Sequence, residues 1–161
     1  MRVTLIRHAE AGDDAPSDDV RALTFRGRAD ARRLGRVLAR RGVRFSLIIT
    51  SPLVRAMQTA EIVAAATGYR GRMPANDLLE PEADAAGVVA LLAALPEEKS
   101  VALVAHEPIL SAVAAALTRK SRYPSLRKAE ALRIRLPDGA EAAGALRWRV
   151  DGTTGSRERL R

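Results

Sequence analysis

The chain contains two histidines, His8 and His106, and each follows directly on a strongly apolar run. VTLI leads through Arg7 into His8, and SVALVA, residues 100–105, leads into His106. A third run, SLIIT at 46–50, stops at Ser51, with Arg55 one helical turn further on. If these runs are neighbouring parallel strands, their carboxyl ends share one edge, where open α/β sheets bind their ligands. Two histidines and two arginines would then meet there. A guanidinium offers a planar fork of donors that matches phosphate oxygens, so the pair Arg7 and Arg55 reads as an anion site. A helix N-terminus near Ser51 is expected to add oriented backbone N–H groups. With an unperturbed pKa near 6.5, one imidazole can act as a neutral nucleophile while the other is a charged donor to the same phosphate. The chain has no cysteine, which removes thiolate nucleophiles, disulfides and cysteine-ligated zinc together, and this chemistry requires neither metal nor cofactor.

The elements that must position these residues follow from periodicity. Residues 3–7 read as a buried strand, and Glu10–Leu23 as a polar loop with Gly12, Pro16 and four aspartates. Thr24 caps a helix expected to run to about Arg41, with Ala31, Leu34 and Leu38 at helical spacing and Gly42 at its end. After the 46–50 strand, Ser51 is expected to cap a helix with Pro52 in its first turn, extending to about Ala66. Val88, Leu91, Leu92 and Leu95 share a helical face within 86–95, and Pro108 opens a helix through Leu117. Ala131–Leu136 and Ala145–Val150 alternate like two strands around an Asp138-Gly139 turn. Strands alternating with helices predict an α/β three-layer sandwich with a mainly parallel central sheet and helices on both faces. One domain over residues 1–151 and a basic C-terminal tail at 152–161 are expected.

Composition narrows the partners. With 161 residues and 47% hydrophobic content the chain suits one core, and its 3% aromatic content lacks the stacking platforms of single-strand nucleic-acid binders. The formal charge of +8, from 27 basic against 19 acidic residues, is spread among acids and apolar positions and reads as Ala-Arg compositional bias. No nucleic-acid partner is expected from it, although phosphorylated or acidic partners would be attracted. No run approaches the roughly 20 apolar residues of a membrane span, and no signal peptide opens the chain, so a cytoplasmic protein without a membrane partner is expected.

Four stretches resemble one known family. LIRHAE, 5–10, looks like the RHG signature of the histidine phosphatase superfamily, the phosphoglycerate-mutase-like proteins. LTFRGRADARRLG, 23–35, resembles its LTxxGxxQA segment, and TSPLVRAMQTAEIV, 50–63, is similar to its TSPLxRAxQTAE stretch. VALVAHEPIL, 101–110, resembles the strand that ends in the family's second catalytic histidine. The short chain and the loop DDAPSDDVRALT, 13–24, look most like the SixA-type phosphohistidine phosphatases, and the segment from Thr67 to Ala86 leaves little room for a lid.

The resemblance implies a metal-independent phosphohydrolase with no cofactor, in which His8 attacks phosphorus while Arg7, Arg55 and His106 bind the phosphoryl oxygens. It implies a substrate that is a phosphorylated protein, such as a histidine phosphotransfer domain in signal transduction, or alternatively a small phosphomonoester. A non-catalytic phospho-ligand binding module is a further alternative. Glu80, with Glu82 behind it, is the positional candidate for an acid that protonates the leaving group, or else a loop carboxylate paired with an arginine. Asp18 is another candidate contributor. Two positions depart from the family pattern. Ala9 stands where the family has glycine, and Glu107, next to His106, is expected either to repel an anionic substrate or to raise the pKa of His106.

Overall fold

The computed structural model describes residues 1–137 and 143–158. Ser100–Ala105 (β3) is apolar at every position after Ser100, and such a strand is stable only when both faces are covered. All six of its residues are buried. It pairs in parallel with Arg2–Arg7 (β1) on one side and with Leu47–Thr50 (β2) on the other. The register sets Arg7 opposite Ala105 and Thr50 opposite Val104. His8, Ser51 and His106 therefore leave the sheet along one edge, as the sequence predicts.

The period-two alternation of the strands divides the core into two layers. Val3, Leu5, Val101, Leu103 and Leu132 pack with Val88 and Leu92 of α3 (Ala85–Ala93) and with Ile109, Leu110 and Val113 of α4 (Ile109–Thr118). Ile6, Ala102, Val104 and Ala131 face the other way, onto Leu34 and Leu38 of α1 (Phe25–Arg40) and Ala56, Ala60 and Val63 of α2 (Val54–Thr67). Each fully buried leucine contributes about 1.5–3 kcal/mol relative to an exposed one. The expected α/β three-layer architecture with helices on both faces is present.

The sheet is mixed where a mainly parallel one is expected. β1 also pairs antiparallel with Glu130–Arg135 (β4), which pairs antiparallel with Ala145–Asp151 (β5), and β5 with Arg157–Glu158 (β6). The order is β2-β3-β1-β4-β5-β6. Parallel pairing needs a crossover helix, which α1, α2 and α3 supply between β1 and β3; α4 leads into β4, which runs antiparallel to β1, and no described helix separates β4 from β5 or β5 from β6, pairs that also run antiparallel. The expected Asp138-Gly139 turn lies outside the described residues. The expected basic tail is, over 152–158, folded onto the sheet. Arg33 donates to the carbonyls of Gly152 and Thr153 at 3.0 and 2.6 Å, and β6 continues the pairing.

Two helix starts hold the site's approach loops. Thr24 caps α1 as expected, its hydroxyl oxygen accepting from the Gly27 N–H at 2.9 Å. α1 lies so close to Glu10 that a Cβ at position 27 would collide with the Glu10 carbonyl, so the glycine is required by contact. α2 begins later than the SP pair suggests, with Leu53 as its N-cap and no side-chain cap bond. Ser51 is therefore not the N-cap residue, although its hydroxyl accepts from the Leu53 N–H at 3.3 Å.

Candidate active site

His8 emerges from β1 with its ring orientation fixed. Its Nδ1 lies 2.7 Å from the Ala9 carbonyl oxygen. A carbonyl can only accept, so Nδ1 carries the proton and the lone pair resides on Nε2. The Ala9 N–H donates to the Thr59 hydroxyl at 3.1 Å, and that hydroxyl donates to the Arg55 carbonyl at 2.7 Å. One side chain of α2 thus ties the backbone beside His8 to the backbone of Arg55. Gln58 acts likewise one position earlier, accepting from the Leu23 N–H at 2.8 Å. Ala9 is buried and has no positive φ, so the backbone here does not demand the family's glycine.

His106 faces His8, with ring centroids 4.9 Å apart and planes tilted by 52°. Its Nε2 lies 2.8 Å from the Ser51 hydroxyl, which also accepts from the Leu53 N–H at 3.3 Å. Among the described residues Ser51 has no other acceptor for its single proton, so the pattern assigns Ser51 as donor to Nε2 and leaves the proton of His106 on Nδ1. That Nδ1 is buried without a protein partner, and so is Nε of Arg7. A buried unpaired donor costs about 1–3 kcal/mol. Each is a donor that a ligand's acceptor atom could satisfy.

The arginines are held from opposite sides. Arg7 donates through one terminal nitrogen to the Leu126 carbonyl at 2.7 Å. Arg55, buried although ionised, donates to the Asp18 carbonyl at 2.7 Å and to its carboxylate at 2.9 Å. The Val54 N–H donates to the Asp19 carbonyl at 2.9 Å, and the Ser51 N–H to the Val104 carbonyl at 2.9 Å. Of the backbone donors expected to face an anion near Ser51, those of Ser51, Leu53 and Val54 are thus spent within the protein.

Burial is the main cause of lowered pKa at both rings, bringing His8 to about 4 and His106 to about 3. At His8 the Ala9 carbonyl opposes the shift, while the charges of Arg55, Arg7 and Lys128 add to it. At His106 the proximity of His8 and of the two arginines adds to it, and Asp18 opposes it. Both rings are thereby held neutral near pH 7. Hydrogen bonds from Arg21 and then Arg55 hold the Asp18 carboxyl below its ordinary value. Asp18 is consequently an acceptor at neutral pH and not a source of protons.

Glu107 is not a source of a raised His106 pKa, which burial lowers instead. One carboxylate oxygen accepts from the Leu126 N–H at 2.7 Å and the other from the Ser111 hydroxyl at 2.6 Å. It braces α4 against the 126–129 turn, and it is not among the charges that act on His106. Glu80 sits half-buried at the end of a 3₁₀ turn, Asp77–Leu79, and among the described residues no hydrogen bond or ion pair joins its carboxylate to Arg7, His8, Arg55 or His106. Exposed Lys128 lies in the 126–129 turn, next in sequence to Ala129, whose N–H bonds the His8 carbonyl, and its charge adds to the lowering of the His8 pKa. Sequence reasoning missed it, because the turn is brought to the site by the pairing of β4 with β1 and carries no local signature. Among the described residues no group of three or more potential metal ligands occurs.

The chain and its fold are similar to known proteins. Residues 3–80 match the model of the histidine phosphatase superfamily (branch 1). An uncharacterized protein of Picosynechococcus is 34% identical over 145 residues, covering 84% of this chain and 85% of that one. The chain belongs to the histidine phosphatase superfamily. Within it, the phosphohistidine phosphatase SixA of Escherichia coli is 29% identical over 152 residues, 93% of either protein. The structure of the protein histidine phosphatase SixA complexed with tungstate superposes with a TM-score of 0.89 at 28% identity, covering 96% of this chain and 99% of that one. The chain is accordingly a SixA-type member of the superfamily and a phosphohydrolase. Among its described residues no helix is long and apolar enough to cross a membrane.

Proposed function

We propose that the protein removes phosphate from phosphohistidine on a partner protein, with His8 as the transient carrier. The observation that carries this reading is the Nδ1 contact of His8 with the Ala9 carbonyl, which directs the lone pair to Nε2. In the first step Nε2 attacks phosphorus, the P–N bond to the substrate imidazole breaks, and the departing imidazole nitrogen takes a proton from solvent. Arg7, Arg55 and His106 hold the three phosphoryl oxygens as charge shifts among them. Water then attacks phosphorus, the bond to His8 breaks, and inorganic phosphate departs. Splitting the hydrolysis in this way replaces one hard step by two easier ones.

The choice of a protein-borne phosphoramidate is supported by the SixA relatives and by the lack of a placed acid. An imidazole leaves more readily than an alkoxide and needs less help. The short 67–86 connection, without an inserted lid domain, fits access by a macromolecule. We place the activity in one domain and in the cytoplasm, with a histidine phosphotransfer domain as the partner class and no metal or cofactor. Incubation with such a domain carrying phosphohistidine should give loss of label at least a hundredfold faster than with His8→Ala. Equal rates for the two proteins would overturn the proposal.

A further inference from the structure

The turn 126–129 is clamped to both residues at the end of β1. Arg7 donates to the Leu126 carbonyl at 2.7 Å, and the Ala129 N–H donates to the His8 carbonyl at 3.1 Å. The Leu126 N–H is anchored in turn by Glu107 at 2.7 Å. Ala129 adopts φ of 56°, a left-handed conformation that reverses the chain within one residue. Leu126 and Ala129 are buried, so the two residues between them, Arg127 and Lys128, are presented to solvent beside the site. The two cations are not equivalent. Arg127 faces Asp151 at 3.4 Å, whereas Lys128 has no ion pair among the described residues. A turn fixed at both ends, to Arg7 and to His8, holds an unpaired ammonium at the rim.

We propose that Lys128 is a further phosphate-binding group of this site, donating from the rim to a phosphoryl oxygen alongside Arg7, Arg55 and His106. The inference rests on the reading of those residues as a phosphate site. An ammonium on a four-carbon stem is a compact point charge with rotatable donors, suited to an oxygen that moves as the group passes to His8. It also supplies positive charge where no acid is placed, since Asp18 is ionised and Glu80 makes no hydrogen bond or ion pair with the four residues among those described. The charges that act on His8 are Arg55 from α2, Arg7 from β1 and Lys128 from the turn, while Asp18 of the 11–22 loop pairs with Arg55 and opposes the shift at His106.

The test compares Lys128→Met, Lys128→Arg and, as a control for net charge, Lys99→Met, which precedes β3 at the opposite edge of the sheet. Inhibition by inorganic phosphate and the pH profile of kcat/KM on a phosphohistidine domain are measured at low ionic strength. Lys128→Met should weaken phosphate inhibition roughly fivefold, as for an exposed charge pair. It should also raise the acid limb of the profile by about half a pH unit. Lys128→Arg should restore both, and Lys99→Met should move neither. Phosphate inhibition unchanged in Lys128→Met, or equal effects from Lys99→Met, would overturn the proposal. If phosphate fails to compete even in the unaltered protein, the phosphate-site reading itself falls.

Discussion

His8 and His106 stand with ring centroids 4.9 Å apart in a buried site that also holds the Arg55 guanidinium. Burial first, and then the neighbouring cations, make both rings resist taking up protons. The consequence for rate is that His8 keeps its lone pair well into mild acid. The acid limb of kcat/KM should fall near pH 4, not near the 6.5 of free imidazole. A limb near 6.5 would contradict this.

The same shifts couple stability to pH. Both folded pKa values lie below the unfolded one, so between about pH 6.5 and about 4 the unfolded chain binds more protons than the native protein. Stability should fall as pH drops through that window and, for these two groups, level off below about pH 3. A Tm series should show a shallower fall in His8→Gln than in the unaltered protein. Identical slopes would mean that the rings are not the cause.

Asp18 occupies the Arg55 fork through its carbonyl and its carboxylate, which is the chemistry a phosphate would use. Asp18→Asn keeps an oxygen acceptor but removes the charge. Inorganic phosphate should then inhibit several times more strongly, because it meets less competition and less repulsion. Weaker inhibition would show that the carboxylate orients Arg55 for binding and does not compete with the ligand.

Thr59 is predicted to matter for both rate and stability although it lies behind the site. Thr59→Val keeps the shape and strands the buried Ala9 N–H, at a cost of about 1–3 kcal/mol. Thermal melting should shift down by several degrees, and kcat should fall more than KM rises, since His8 loses its fixed neighbour. A normal kcat in a destabilised protein would confine Thr59 to folding.

For Glu80 the expectation is the opposite. Glu80→Gln should change phosphohistidine turnover by less than about twofold, where a general acid would contribute about 10²-fold or more. A large loss would return Glu80 to the mechanism.

The edge of the sheet was legible because its strands are local, apolar and end abruptly on polar residues: Arg7-His8, Ser51 and His106 could be aligned from spacing alone. Thr24 was legible for a similar reason, since a helix cap is a local signal. Ser51 was misread because the SP pair looks like a helix start, while its hydroxyl answers to a histidine 55 positions away. Glu107 and Lys128 depend on the 126–129 turn, which reaches the site through the pairing of β4 with β1, and no local pattern encodes that arrangement. The position of Asp18 on Arg55 likewise depends on how a polar loop folds back on α2. Long-range polar contacts of this kind leave no periodicity to read.

The central claim is that phosphate passes through Nε2 of His8. Rapid mixing with a radiolabelled phosphohistidine domain, quenching without acid and mapping the label by proteolysis tests it most directly. The account predicts acid-labile label on the peptide containing His8, formed faster than phosphate is released and missing from His8→Ala. Label on another residue, or full turnover by His8→Ala, would contradict it.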